Sequence, residues 1–287
     1  MSLRYAVPSL EHPTIDAVFE ELLTLDLDTF SSSTSFIEII LQKGVYTCTM
    51  EFGCQRNTDL GIGLLINAPI FDRVDVIVQG NGSTLNGGIR ILNGKNIAIN
   101  DLVMKNTSRS NLGYGVFCQN TTVTFNQCTI TRCSTIGLWC YLNSCVSILA
   151  TRVEDNKDTG IAVYFASFDA RASTIVNNGN HGLLVSGNTA KCRVEETSIK
   201  NHATTGIWCL DKAIVEVKGG KISGNNDGLF ADSGGQVTHT NCQLYANEMN
   251  VYEDDGGSVK EIEIEWEPEA KKKQVAGTSA DNFRSTR

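Results

Sequence analysis

Asp158 and His181 are the two side chains whose types and spacing best suit proton transfer. Asp158 comes two residues before Gly160, and His181 comes one before Gly182. A carboxylate near an imidazole can serve as general acid and base. The neighbouring offsets hold Asn180, Thr204 and Thr205, and Asp227 comes one before Gly228. No column of paired carboxylates emerges, so two polar turn residues are the preferred reading and an acid–base pair the sharper one. Arg171, Glu195 and Lys218 share another offset, four before a recurring apolar position. Opposite charges stacked in this way are expected to pair as a surface ladder. A catalytic role for Arg171 is the lesser reading.

Other chemistry is poorly supported. The stretch QGNGSTLNGG (79–88) lacks the lysine and following helix of a phosphate loop, and it reads as tight turns. The chain has no CxxC pair, and its four histidines, His12, His181, His202 and His239, are scattered. Neither a metal nor another cofactor is therefore expected. The feature that stands out is aromatic. Two residues after successive glycines come Phe117, Trp139, Ala162, Leu184, Trp208 and Phe230, with Tyr252 continuing the series and Tyr141 and Tyr164 two residues further along. A sheet face bathed in water carries Thr, Lys and Glu rather than rings, so this column reads as a binding surface.

These positions need a scaffold that places distant residues side by side. IGLWC (136–140) and TGIWC (205–209) lie sixty-nine residues apart, three times twenty-three. Glycine followed by an apolar residue recurs at Gly63, Gly88, Gly115, Gly137, Gly160, Gly182, Gly206 and Gly228; the last five gaps are 22, 23, 22, 24 and 22 residues. Two further registers follow nearly the same series. One is Val103, Ile130, Val153, Ile175, Ile199, Ile222 and Leu244; the other is Val123, Val146, Phe168, Cys192, Val215, Val237 and Val259. Each unit alternates apolar and polar residues with a strand period and lacks both LxxLxL and long helical periodicity. The sequence predicts a parallel β-solenoid with three short strands per coil, coils stacked about 4.8 Å apart.

Three residues after the second register lie Asn106, Cys133, Asn156, Asn178, His202, Asn225 and Asn247. This predicts an internal ladder of asparagines tolerating left-handed backbone, with amides bonded from coil to coil and His202 as a structural rung. Residues one and three after each glycine should point inward, which makes Cys118, Cys140 and Cys209 small core residues. Cys128 and Cys242 share an inward column with Thr151, Ser173 and Thr197. Buried thiols are the economical reading, with Cys48 and Cys54 the pair to check for a disulfide. A sequon falls on Asn106, whose ladder place argues against a glycan there.

The 287 residues, 41% of them apolar, can bury a large core. A net charge of −8 argues against a nucleic-acid partner or an anionic membrane surface. The start MSLRYAVPSLEHPT lacks the apolar core of a secretory leader, and no apolar run is long enough to span a membrane. A soluble intracellular protein is expected.

Coils such as TSIKNHATTGIWCLDKAIVEVKGGKISGNNDGLFADSGG (197–235) resemble the right-handed parallel β-helix, or pectin-lyase-like, superfamily. They are similar to the β-helix repeats of carbohydrate-binding proteins, sugar hydrolases and F-box-type β-helix proteins. FIEIILQKGVYTC (36–48) and VDVIVQGNGSTLNGG (74–88) fit the same resemblance, which spans about residues 14 to 266. It implies a short helix plugging one end, and Thr14 followed by Ile15, Val18, Phe19, Leu22 and Leu23 suits that plug. It also implies what an enzyme of this kind would use: Arg or Lys as base with calcium-holding acids in lyases, paired carboxylates in hydrolases. NHG (180–182) is the nearest fragment to a hydrolase motif.

The expected organisation is an N-terminal segment with the capping helix (1–35), an all-β right-handed parallel β-helix (36–266), and a polar tail (267–287) disordered unless bound. The expected function is a non-catalytic scaffold offering its aromatic sheet to a protein partner or another copy, in a cellular or viral assembly. The alternative is a carbohydrate-active protein, enzyme or glycan binder, using the same face.

Overall fold

The structure is a computed structural model that describes residues 2–11, 13–24, 36–48, 51–54, 57–67, 74–107 and 113–263. The polar tail lies outside the described residues. The chain winds as a right-handed parallel β-solenoid of about 8 turns. A typical coil runs through Leu183–Ser186, Lys191–Glu195 and Ser198–Lys200 before Thr205–Leu210 opens the next. The first strand of each such coil belongs to a 10-stranded sheet and the other two to an 18-stranded sheet, counting the described residues. Among these, Glu51–Cys54 with Asn57–Ile66 is an antiparallel pair.

Strand pairing puts equivalent positions of the repeat beside one another. Val123 pairs with Val146, Val146 with Phe168, Phe168 with Cys192 and Cys192 with Val215. Ile130, Val153, Ile175, Ile199 and Ile222 align in the same way, but Ile130 meets Met104 rather than Val103. Leu102 and Met104 are buried and Val103 is only half-buried, so the predicted register is one residue off in this coil.

The inward columns form one continuous apolar core. Val116, Leu138, Ile161, Leu183, Ile207 and Leu229 have no exposed surface, and neither do Cys118, Cys140, Val163, Val185, Cys209 and Ala231. The nine cysteines with described side chains are all free thiols, Cys48 included. The side chain of its proposed partner Cys54 lies outside what the structure describes. Burial raises the pKa of the Cys118, Cys140 and Cys192 thiols, which keeps them neutral.

The ladder is present, and it explains the glycine register. The Nδ2 of Asn156 donates to Oδ1 of Asn178 at 2.9 Å, and Asn225 bonds Asn247 in the same manner. A Cβ on Gly160 would lie 2.5 Å from Asn178 Nδ2, and one on Gly182 would lie 2.6 Å from His202 Nε2. The recurring glycines let a neighbouring rung approach. The left-handed backbone expected of the asparagines falls instead one residue earlier, at Arg132, Asp155, Asn177 and Asn201. A second internal ladder uses hydroxyls: the N–H groups of Cys128, Thr151 and Ser173 donate to the side-chain oxygens of Thr151, Ser173 and Thr197.

The helix Ile15–Thr24 begins where Thr14 Oγ1 accepts the N–H of Ala17 at 3.2 Å. Ile15, Val18, Phe19 and Leu22 join the solenoid core; the side chain of Leu23 is outside the described set. Strand Ser2–Val7, which the periodicity did not announce, pairs in parallel with Phe36–Leu41. No helix among the described residues is long and apolar enough to cross a membrane.

Candidate functional site

The aromatic column lies on the outward face of the 10-stranded sheet. Phe117 pairs with Trp139, Leu184 with Trp208, Trp208 with Phe230, and Phe230 with Tyr252. Tyr141 and Tyr164 are cross-strand partners beside it. Inward side chains alternate with outward ones along a strand, so a buried Leu138 and Cys140 force Trp139 outward.

The rings form two groups. Trp139 has Phe117 at 5.4 Å, Tyr141 at 6.1 Å and Tyr164 at 6.2 Å between centroids, all edge-on. Trp208 lies parallel to Phe230, 2° between planes at 5.6 Å, and Phe230 meets Tyr252 at 4.8 Å. The column is less open than its sequence suggests. Phe117, Ala162 and Leu184 are buried, Trp139, Tyr141, Tyr164, Trp208 and Phe230 are half-buried, and Tyr252, at 38%, is exposed. Trp139 Nε1 and Trp208 Nε1 are both shut off from solvent and have no hydrogen-bond acceptor among the described residues.

Two contributors escaped the sequence reading. Tyr114 packs on Phe117 at 5.5 Å and on Trp139 at 6.2 Å. Arg90 places its guanidinium 5.3 Å from the Phe117 ring centre, a cation–π geometry. Arg90 stands two after Gly88, so carrying the aromatic offset one coil back reaches it.

His181 sits at the edge of this face, 4.8 Å from the Trp208 ring. Thr204 Oγ1 donates to Asn180 Oδ1 at 2.9 Å and also meets His181 Nδ1 at 2.8 Å. The hydroxyl has one proton, so Nδ1 carries the hydrogen and Nε2 is the basic nitrogen of His181. Burial lowers its pKa, and the charge of Asp158 opposes that fall. Burial raises the pKa of Tyr164, with Asp158 and then Asp211 adding to the rise. Asp158 thus acts on both rings, and Asp211 accepts a 2.6 Å bond from Ser186.

Arg171 is elsewhere. Its strand Ser167–Arg171 belongs to the 18-stranded sheet, where it pairs with Asp169 at 3.0 Å and with Glu195 at 3.5 Å. Arg171, Glu195 and Lys218 are aligned across three coils as a charge ladder. His202 is a buried rung, accepting from the Asn178 N–H. Among the described residues no group of three or more His, Cys, Asp or Glu side chains converges as a metal site.

The model of the family described as the right handed beta helix region matches residues 30–199 and 166–263. The chain belongs to the right-handed β-helix family. No curated protein matches this β-helix chain. Among solved structures it is similar to pectate lyase Pel9A, with a TM-score of 0.57 and 12% identity over 90% of this chain and 77% of that one. It is also similar to the A-module of the Azotobacter vinelandii mannuronan C-5 epimerase AlgE4, with a TM-score of 0.53 and 10% identity over 90% and 97%. The Geobacillus virus E2 protein ORF18 gives a TM-score of 0.50 and 13% identity over 81% and 50%. At such identities the likeness is one of fold, and β-helix scaffolds carry unrelated functions.

Proposed function

We propose that this β-helix is a non-catalytic scaffold whose ring-lined sheet docks a protein partner. The observation that carries this reading is the in-register file Trp208–Phe230–Tyr252, which opens toward solvent as it nears the last coil. Aromatic side chains concentrate in interface cores because they bury much apolar surface and lose little rotamer freedom. Ring orientation favours protein over sugar. Phe230 covers one side of Trp208 and His181 also packs against it, so little open ring face remains for a pyranose.

The test is ring-dependent complex formation. The chain and its Trp208→Thr/Phe230→Thr/Tyr252→Thr variant are incubated with extract from the source cells and compared by cross-linking and native mass measurement. A species bound to the parent and absent from a folded variant is expected. A parent that stays monomeric and alone would remove the proposal.

A carbohydrate-active role is the second reading, favoured by Asp158, His181 and Tyr164 at the edge of the same aromatic face. Under it, His181 Nε2 takes the proton from the carbon beside a uronate carboxylate, and Asp158 stabilises the imidazolium formed. The adjacent glycosidic C–O bond breaks to leave a C=C double bond, and the departing oxygen takes a proton from water. New ultraviolet absorbance on incubation with uronate polymers would establish the lyase version.

A further inference from the structure

The two sheets treat their carboxylates differently. On the strands of the 18-stranded sheet Arg152 lies against Glu154, Arg171 against Asp169 at 3.0 Å and Glu195 at 3.5 Å, and Arg193 against Glu195 at 2.7 Å. From residue 157 to 235, the turns and strand ends beside the 10-stranded sheet carry Asp158, Asp211, Asp227 and Asp232 against Lys157 and Lys212. Among the described residues none of these four carboxylates has a cationic partner. Asp158 precedes the strand Ile161–Tyr164 and Asp211 follows the strand Thr205–Leu210, which sets them at opposite edges of the sheet. The charges of both nevertheless reach the hydroxyl of Tyr164, whose pKa burial already raises. A ring between two uncompensated carboxylates favours a cation beside it.

The chain itself shows how a cation uses this column. Arg90 pairs with Phe117 across coils and sets its guanidinium 5.3 Å from the centre of that ring. Beyond Phe117 the same outward offset holds Trp139, Ala162, Leu184, Trp208 and Phe230, and the column has no further cation of its own. Of the two basic side chains, arginine suits such a place better, because its planar guanidinium stacks on rings and forks onto carboxylates. A second copy of this chain is a poor occupant. It brings a net charge of −8, and the arginines of its other sheet are engaged with its own acids.

We infer that the segment docking on the aromatic sheet belongs to a partner protein and is arginine-bearing, with one guanidinium laid against Tyr164 between Asp158 and Asp211. Further guanidinium groups meet Asp227 and Asp232, at the two ends of the strand that carries Phe230. This inference rests on the protein-docking reading above and names the chemistry of the partner.

The test uses the full chain and three labelled peptides of one length, in which glycine and serine separate arginine, lysine or citrulline residues. Binding is read by fluorescence anisotropy. The arginine peptide is expected to bind, the lysine peptide to bind several-fold more weakly, and the neutral citrulline peptide not to bind. Affinity should fall as salt screens the carboxylates. Asp158→Asn/Asp211→Asn keeps an acceptor for the Ser186 hydroxyl and should weaken the arginine peptide roughly tenfold, the worth of two exposed ion pairs. Asp169→Asn/Glu195→Gln removes the same charge from the other sheet and should leave binding unchanged. No binding of the arginine peptide, equal binding of the citrulline peptide, or equal losses in the two charge variants would overturn the inference. Binding that appears only in Lys271→Gln/Lys272→Gln/Lys273→Gln would also overturn it, because the chain's own lysines would then hold the site. In cell extract the two proposals separate. A partner captured through the rings and held equally well by Asp158→Asn/Asp211→Asn sinks this inference and leaves the docking reading standing, whereas capture of nothing sinks both.

Discussion

The backbone N–H of Asn178 donates to Nδ1 of His202 at 3.2 Å, where the N–H of Asn156 finds instead the side-chain Oδ1 of Asn178 at 3.1 Å. An imidazole has replaced an amide in the ladder, and it must be neutral at Nδ1 to accept. Its Nε2–H then donates to the carbonyl of Ile175 at 3.2 Å. Burial is the main cause that lowers the His202 pKa from 6.5 to about 4.

A pH dependence follows. Above pH 6.5 the folded and unfolded histidine are both neutral and the fold keeps its full stability. As the pH falls from about 6.5 toward 4 the unfolded chain binds the proton first, and about 3 kcal/mol is lost from this group. Urea unfolding midpoints across that range should decline in the parent and much less in His202→Asn, which restores the asparagine rung. His181, also lowered by burial, adds a smaller decline of the same sign that the variant retains. Equal declines in both proteins would mean that His202 is not the proton acceptor.

The glycine register makes a steric prediction. Gly160→Ala would put its methyl 2.5 Å from Asn178 Nδ2 and 2.9 Å from the Gly182 carbonyl. A rung and a strand must shift together, at a cost of about 1–3 kcal/mol. Gly82→Ala meets nothing within 4 Å, but its φ of +70° leaves the backbone preference of glycine as the penalty, about 1 kcal/mol. Chemical denaturation of the two variants should rank Gly160→Ala as the less stable. The opposite order would show that the rungs yield freely.

The thiols should separate by position. Cys145 is exposed and Cys242 half-buried, while the other seven described free cysteines are buried, several with pKa values raised by that burial. Reaction of the native chain with an aromatic disulfide reagent should label Cys145 first, and the buried thiols only on unfolding. Rapid labelling of Cys118 or Cys140, followed by peptide mapping, would contradict a packed core.

Much of this scaffold was legible because a solenoid turns sequence spacing directly into contact. Leu138 and Ile161 are twenty-three residues apart and pair in register, so counting residues was equivalent to reading structure. Counting failed where composition blurred the two-residue period. Leu102, Val103 and Met104 are consecutive apolar residues, and only packing decides that the outer two face inward. The outward direction of Trp139 and Trp208 was likewise readable, but the shielding of each by its own neighbouring rings was not, because ring orientation depends on side-chain torsions that leave no trace in spacing. Asp158 and His181 were visible as offsets. The Thr204 hydroxyl that fixes the His181 tautomer acts across coils, and only the structure reveals its two hydrogen bonds.

That tautomer allows the acid–base reading to be tested without a substrate. Burial lowers the His181 pKa and the Asp158 carboxylate partly restores it, so Asp158→Asn should lower it further. Arg171→Ala, on the other sheet and engaged with Asp169 and Glu195, should leave it unchanged. Titration of the His181 ring proton by nuclear magnetic resonance measures both. A lowered value in Asp158→Asn alone would establish that the two side chains act on each other, the condition for any shared proton transfer at this edge. If Asp158→Asn leaves the titration where it was, the pair is chemically uncoupled. His181 would then serve to pack against Trp208, and the carbohydrate-active reading would lose the acid–base pair on which it rests.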